Sequence, residues 1–199
     1  MHGVGNDPTY NAKFCFETFP FPKGLTPADT AHQQTEAIEG GAVIPAGLAA
    51  PAASVSASNV RPAQSIPSEA AINNIASSTA LRTRAEAIAR AAHRLNYLRE
   101  AWLNPPEWTQ RVPEVISLGM ATSPYPDRIV AKPGYEKDLA ERTLPKLYNQ
   151  RPAWLAAAHQ ALDLAVAAAY GWSDYSAEVP DEEILKRLLA LNLARAGVA

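Results

Sequence analysis

Cysteine occurs once, at Cys15, so the chain cannot close a disulfide on itself, and no Cys or His spacing matches a zinc-ligand set. His2, His32, His93 and His159 stand apart from one another, and Cys15 has no base beside it in sequence. Cys15 then reads as a small buried hydrophobe, and no metal site is expected. Long apolar runs are missing too. Even the alanine-rich stretches are broken by Arg, His, Gln or Asp before the ~20 residues that would cross a bilayer. Charged residues make up only 19% of the 199 residues, with a formal net charge of -2. A global pull toward nucleic acid is excluded by that balance, so any DNA contact must come from a local patch.

The opening residues have neither the charged nor the apolar stretch of a signal peptide. Met-His-Gly-Val-Gly-Asn-Asp-Pro reads instead as a tight turn inside something already folded. The expectation is that Met1 opens a truncated or split reading frame, and that the protein works in the reducing cytoplasm.

What is present is concentrated. All four phenylalanines, Phe14, Phe16, Phe19 and Phe21, fall between Lys13 and Lys23. Alternation of Phe14 and Phe16 puts both rings on one side of an extended strand. Pro20 and Pro22 then remove two backbone donors, so the segment is expected to leave any ladder as an aromatic strap. Thr26 or Asp29 can cap a helix that Gly40-Gly41 would end, and Ala42 to Leu48 reads as a packed loop. Between Ala49 and Ala80, Ala, Ser, Pro and Asn dominate and only Arg61 and Glu69 are charged. Such a stretch buries too little apolar surface to offset its ordering entropy and reads as a disorder-like linker or insertion, with room for a short helix near Ser68 to Ser77.

A main amphipathic helix is expected over Arg82 to Leu103, with Leu81, Ile88, Ala91, Leu95, Leu98 and Trp102 on one stripe, stopped by Asn104-Pro105-Pro106. Glu107 to Gly134 reads as irregular, anchored by Trp108 and Tyr125. A helix over Tyr135 to Tyr148, kinked at Pro145, precedes one that starts at Pro152 and ends at Gly171. The last spans Asp181 to Ala196, with acids at its start and Arg195 at its end complementing the helix dipole. The fold class is therefore mainly α. A small C-terminal helical bundle (81–199) follows a short strand and extended aromatic segment (1–48) and the linker (49–80).

Five stretches carry a resemblance: Gly3 to Tyr10, Phe16 to Pro22, Leu98 to Trp108, Tyr125 to Lys132 and Arg142 to Leu155. Together they resemble the C-terminal end of the type IIL restriction-modification enzymes and their methylase relatives, over roughly residues 3–48 and 81–196. These are single chains carrying an adenine-N6 DNA methyltransferase, often with an endonuclease. The resemblance implies that the complete enzyme moves a methyl group from S-adenosylmethionine to adenine at a specific DNA site. It also implies that the catalytic portion and most of the target recognition domain lie upstream. Residues 1–48 would be the trailing edge of that recognition domain, and this chain would be a non-catalytic portion that supports recognition and DNA binding.

Candidate sites are few. Asn104-Pro105-Pro106-Glu107 resembles the Asn-Pro-Pro-aromatic loop that grips a flipped adenine, but Glu107 cannot stack on a base and the tetrapeptide follows a helix. It reads as a helix stop. Gly3-Val4-Gly5 lacks the preceding strand of a cofactor-cradling turn, so no cofactor-binding residue is assigned. Arg90 and Arg94, one turn apart, can meet DNA phosphates, or can form a solvated face with pairs such as Glu86 with Arg90. Lys13 and Lys23 join them as backbone-contact candidates through the position that the resemblance gives them. Two alternatives stand beside this assignment: a separate helical interaction module, including a subunit that docks on another methyltransferase chain, and non-specific DNA binding through the arginine helix.

Overall fold

The computed structural model describes residues 19–30, 34–46, 48, 69–114, 123 and 125–197, with backbone alone at 28, 30 and 69–76. Phe14, Phe16 and Lys13 lie outside the described residues. The protein is mainly helical, with two small antiparallel strand pairs. Its elements in order are α1 Pro27–Thr30, β1 Thr35–Ala37, β2 Val43–Pro45, α2 Glu69–Leu103, β3 Thr109–Val112, β4 Arg128–Ala131, α3 Glu136–Ala140, α4 Leu144–Gln150, α5 Ala153–Tyr170 and α6 Asp181–Arg195. They form two units: residues 1–36, 44–85 and 166–199 in one, 37–43 and 86–165 in the other.

In the first unit the aromatic segment bends. Phe21 N donates to Phe19 O at 2.9 Å, and the two rings meet edge to face at 4.9 Å. This i to i+2 bond turns the chain at Pro20, where an extended strap was expected. A second turn follows, closed by Leu25 N to Pro22 O at 3.0 Å, with Gly24 at φ +81°. A Cβ at Gly24 would lie 2.8 Å from Leu81 Cδ2, the movable end of that side chain, so it is the backbone φ that favours glycine there. Thr26 and Asp29 then cap α1 reciprocally: Thr26 N donates to Asp29 Oδ2 at 3.0 Å and Asp29 N to Thr26 Oγ1 at 3.2 Å. These bonds to Thr26 hold the Asp29 carboxyl below its ordinary pKa.

That helix is described over Pro27–Thr30, and the chain is already in β1 at Thr35, short of the expected end at Gly40-Gly41. Those glycines instead form the turn between β1 and β2, at φ +92° and +84°. Val43–Pro45 is accordingly a strand, where a packed loop was expected, because the paired glycines fold the chain back into a hairpin. Ile44 and Leu48 are buried, and Arg82 of α2 fastens this region by pairing with Glu36 and donating to Leu48 O at 3.4 Å.

At the other end of this unit, the Arg187 guanidinium grips Asp174 with two bonds, at 2.6 and 2.9 Å, and donates from Nε to Glu183 at 3.0 Å. It also lies over Trp172, which stacks on Tyr170. Burial raises the Tyr170 pKa. On α6, Leu185 and Leu189 are exposed.

The second unit holds a core of Leu95, Leu147, Leu155 and Ala158, drawn from α2, α4 and α5, with Leu98, Trp102, Trp154 and Leu162 packed against it. The apolar stripe expected on the main helix supplies Leu95, Leu98 and Trp102. That helix is longer than its periodic stretch, because it begins at Glu69, inside the expected linker; alanines and the absence of Pro or Gly after Pro67 allow it to run on. The single helix expected over 135–148 is two, since Thr143 caps a new start by accepting from Lys146 N and Pro145 occupies its first turn. The irregular stretch expected after Glu107 contains β3 and β4, in register from Thr109 opposite Ala131 to Val112 opposite Arg128. Tyr125, expected to anchor it, is exposed.

Candidate nucleic-acid interface

Helical spacing places Arg90, His93, Arg94 and Tyr97 on one face of α2, at intervals of three, four and seven residues. All four are exposed, and with Glu39, Gly40 and Ala42 of the β1–β2 turn they line a groove of about 440 Å³. The turn lies beside His93: a Cβ on Gly41 would meet His93 Nε2 at 3.5 Å, an ordinary contact, so glycine is favoured there by its φ of +84° and not by lack of space. Arg90 is tethered, donating to Glu39 O at 3.4 Å and to Glu86 at 3.3 Å. The Glu86–Arg90 pair foreseen from the sequence is thus formed, and it neutralises part of this face. Arg94 has no ion pair among the described residues. A freely presented guanidinium, an imidazole and a tyrosine ring in one groove suit the phosphates and sugars of a nucleic-acid backbone.

A second assembly lies in the same unit. The Arg142 guanidinium contacts two indoles, 4.6 Å from the Trp102 ring centre and 4.8 Å from that of Trp108, and donates to Trp102 O at 3.4 Å. Trp108 stacks in turn on Tyr135 at 5.7 Å. Lys132, the residue after β4, closes the arrangement: its backbone N donates to Trp108 O at 2.8 Å, and its Nζ to Pro106 O at 2.8 Å and Glu107 O at 3.2 Å. Three of the stretches that carry the family resemblance, Leu98 to Trp108, Tyr125 to Lys132 and Arg142 to Leu155, therefore meet at one place.

Within it, Asn104-Pro105-Pro106-Glu107 has local work for its polar atoms. The Asn104 side chain donates to Glu100 at 3.0 Å, and the Pro105 carbonyl accepts from Trp108 N, Thr109 N and Thr109 Oγ1 at 3.0, 3.0 and 2.8 Å. This is the hydrogen bonding of a helix stop, with the carbonyl that an adenine amine would need already occupied.

Of the residues assigned from the sequence, the structure brings Arg90 and Arg94 together on one helical face. Lys23 is exposed in the Pro22–Leu25 turn of the other unit, and Lys13 falls outside the described residues. His93 and Tyr97 were missed although their spacing from Arg90 is visible in the sequence. The partners of Arg142 had no such signal, since they stand 40 and 34 positions away. Among the described residues, no group of His, Cys, Asp or Glu is placed to hold a metal ion, and no helix is long and apolar enough to cross a membrane. Comparison with protein-family models, curated proteins and solved structures gave no match.

Proposed function

We propose that this chain is a non-catalytic C-terminal portion of a site-specific, adenine-N6 DNA methyltransferase of the restriction-modification type, supporting target recognition and holding DNA by its backbone. The methyl donor, S-adenosylmethionine, is then bound by a catalytic portion encoded upstream. The observation that carries the reading is the convergence of three family-like stretches on the Trp102–Arg142–Trp108 stack, which gives their residues a shared structural reason. The Arg90–Tyr97 face supports a backbone-contact role, because its cations and aromatic ring address phosphate and sugar without base readout. Co-expression with the upstream reading frame tests it. Co-purification and site-specific adenine methylation by the pair, with none by either chain alone, is expected; methylation by this chain alone, or no association, would contradict it.

A second reading, a stand-alone helical interaction module or a subunit docking on a separate methyltransferase chain, is favoured by one observation. Leu185, Leu189 and Leu193 repeat every four residues on α6 and are exposed by 64%, 59% and 41%. Unrelated genes upstream would favour this alternative.

A further inference from the structure

Arg142 does more than join two tryptophans. Its guanidinium carbon lies 4.6 and 4.8 Å from two indole ring centres, and one N–H is used by Trp102 O. Its remaining donors have no protein partner among the described residues. They lie in the plane of the group, at its edge, and Arg142 lines an open hollow of about 600 Å³ with Trp102, Glu141, Lys146, Asn149 and Gln150. A guanidinium held by two indole contacts and a hydrogen bond has already lost much of the side-chain freedom that binding normally costs, and its free N–H groups match two oxygens of a tetrahedral oxyanion. Lys146 pairs with Glu141, so the local charge left over is that of Arg142. Asn149 and Gln150, exposed on the last turn of α4, add amide donors at the rim.

From this arrangement we infer that the hollow beside Arg142 is a phosphate-binding site, taking the phosphoryl group of a nucleotide edge-on to the guanidinium. It is separate from the Arg90–Arg94 face and does not depend on the methyltransferase assignment. With Glu141 paired to Lys146, a single uncompensated cation remains, which suits a mono- or diester better than a ligand with several phosphates.

Titration calorimetry with inorganic phosphate, with deoxyadenosine monophosphate and with a short DNA duplex tests the site. The wild-type chain is compared with a variant carrying both Asn149→Asp and Gln150→Glu. Because both positions are exposed, an unchanged circular-dichroism melt verifies that this variant is folded. Saturable binding of at least one phosphate, weakened tenfold or more in the double variant and in Arg142→Lys, supports the site. A signal with the monophosphates assigns it to free nucleotides, and a signal with the duplex alone assigns it to the DNA backbone. No binding of any of the three, or binding unaffected by the double variant, would overturn it.

Discussion

Arg142 and Trp102 meet twice, since the guanidinium lies 4.6 Å over the indole while its Nη1 donates to the carbonyl of the same residue at 3.4 Å. One side chain from the α3–α4 connection thus clamps both the last turn of α2 and, through Trp108, the start of the β3–β4 pair. Each cation–π contact stabilises by about 0.5–2 kcal/mol depending on desolvation. Arg142→Met keeps the length of the side chain and removes both contacts and the hydrogen bond. The expected cost is about 1–3 kcal/mol in denaturant unfolding followed by tryptophan fluorescence. A loss below about 0.5 kcal/mol would mean that the stack is incidental.

Burial sets a contrast between two leucines. Leu147 is fully buried among Leu95, Leu155 and Ala158, whereas Leu189 is 59% exposed. Leu147→Ala should destabilise by about 2–5 kcal/mol through lost transfer energy and the cavity left behind. Leu189→Ala should stay within about 0.5 kcal/mol in the isolated chain. A large effect of the second substitution, measured by thermal melting at several protein concentrations, would reveal a partner on α6.

Arg151 caps α4 in the left-handed region, at φ 41° and ψ 59°, and precedes Pro152. Left-handed backbone costs an L-residue roughly 1–2 kcal/mol and glycine almost nothing. Arg151→Gly is therefore expected to stabilise the protein by about 1 kcal/mol, even though it removes a surface charge. A lowered midpoint in urea would show that the Arg151 side chain contributes more than its backbone loses.

Acid should dissolve the Arg187 cluster. Hydrogen bonds from Arg187 hold the Asp174 and Glu183 carboxyls below their ordinary pKa values. A depressed carboxylate pKa contributes stability that is present above its unfolded value and lost as pH falls through its folded one. Arg187→Met should then lower the melting temperature at neutral pH, and the difference from wild type should shrink as pH falls from about 5 toward about 2. A difference that is constant with pH would assign the role of Arg187 to its contact with Trp172 alone.

Much of the helical architecture could be read from local pattern. The Leu95–Leu98–Trp102 stripe, Gly171 at a helix end and the acids opening α6 each obey short-range rules that need no tertiary partner. What escaped depended on pairing across the chain. β3 and β4 are four residues each, and no run of Val or Ile marks Thr109–Val112; their register comes from pairing across the chain, continued by Lys132 N donating to Trp108 O. Gly40-Gly41 looked like a helix stop because a glycine pair serves a hairpin turn equally well. At the candidate interface, Arg90 and Arg94 were visible as one turn of helix, while the contact of Arg142 with two tryptophans arises from three segments meeting and has no periodic trace.

The proposed backbone role is tested most directly by the affinity of this chain for duplex DNA as a function of salt, compared with a variant in which Arg90 and Arg94 are both Ala. Binding should weaken steeply as salt rises, and the double substitution should make the slope of log affinity against log salt shallower by about 1.8, the release expected for two phosphate contacts. Duplex binding that is indifferent to salt and to both substitutions would contradict the account.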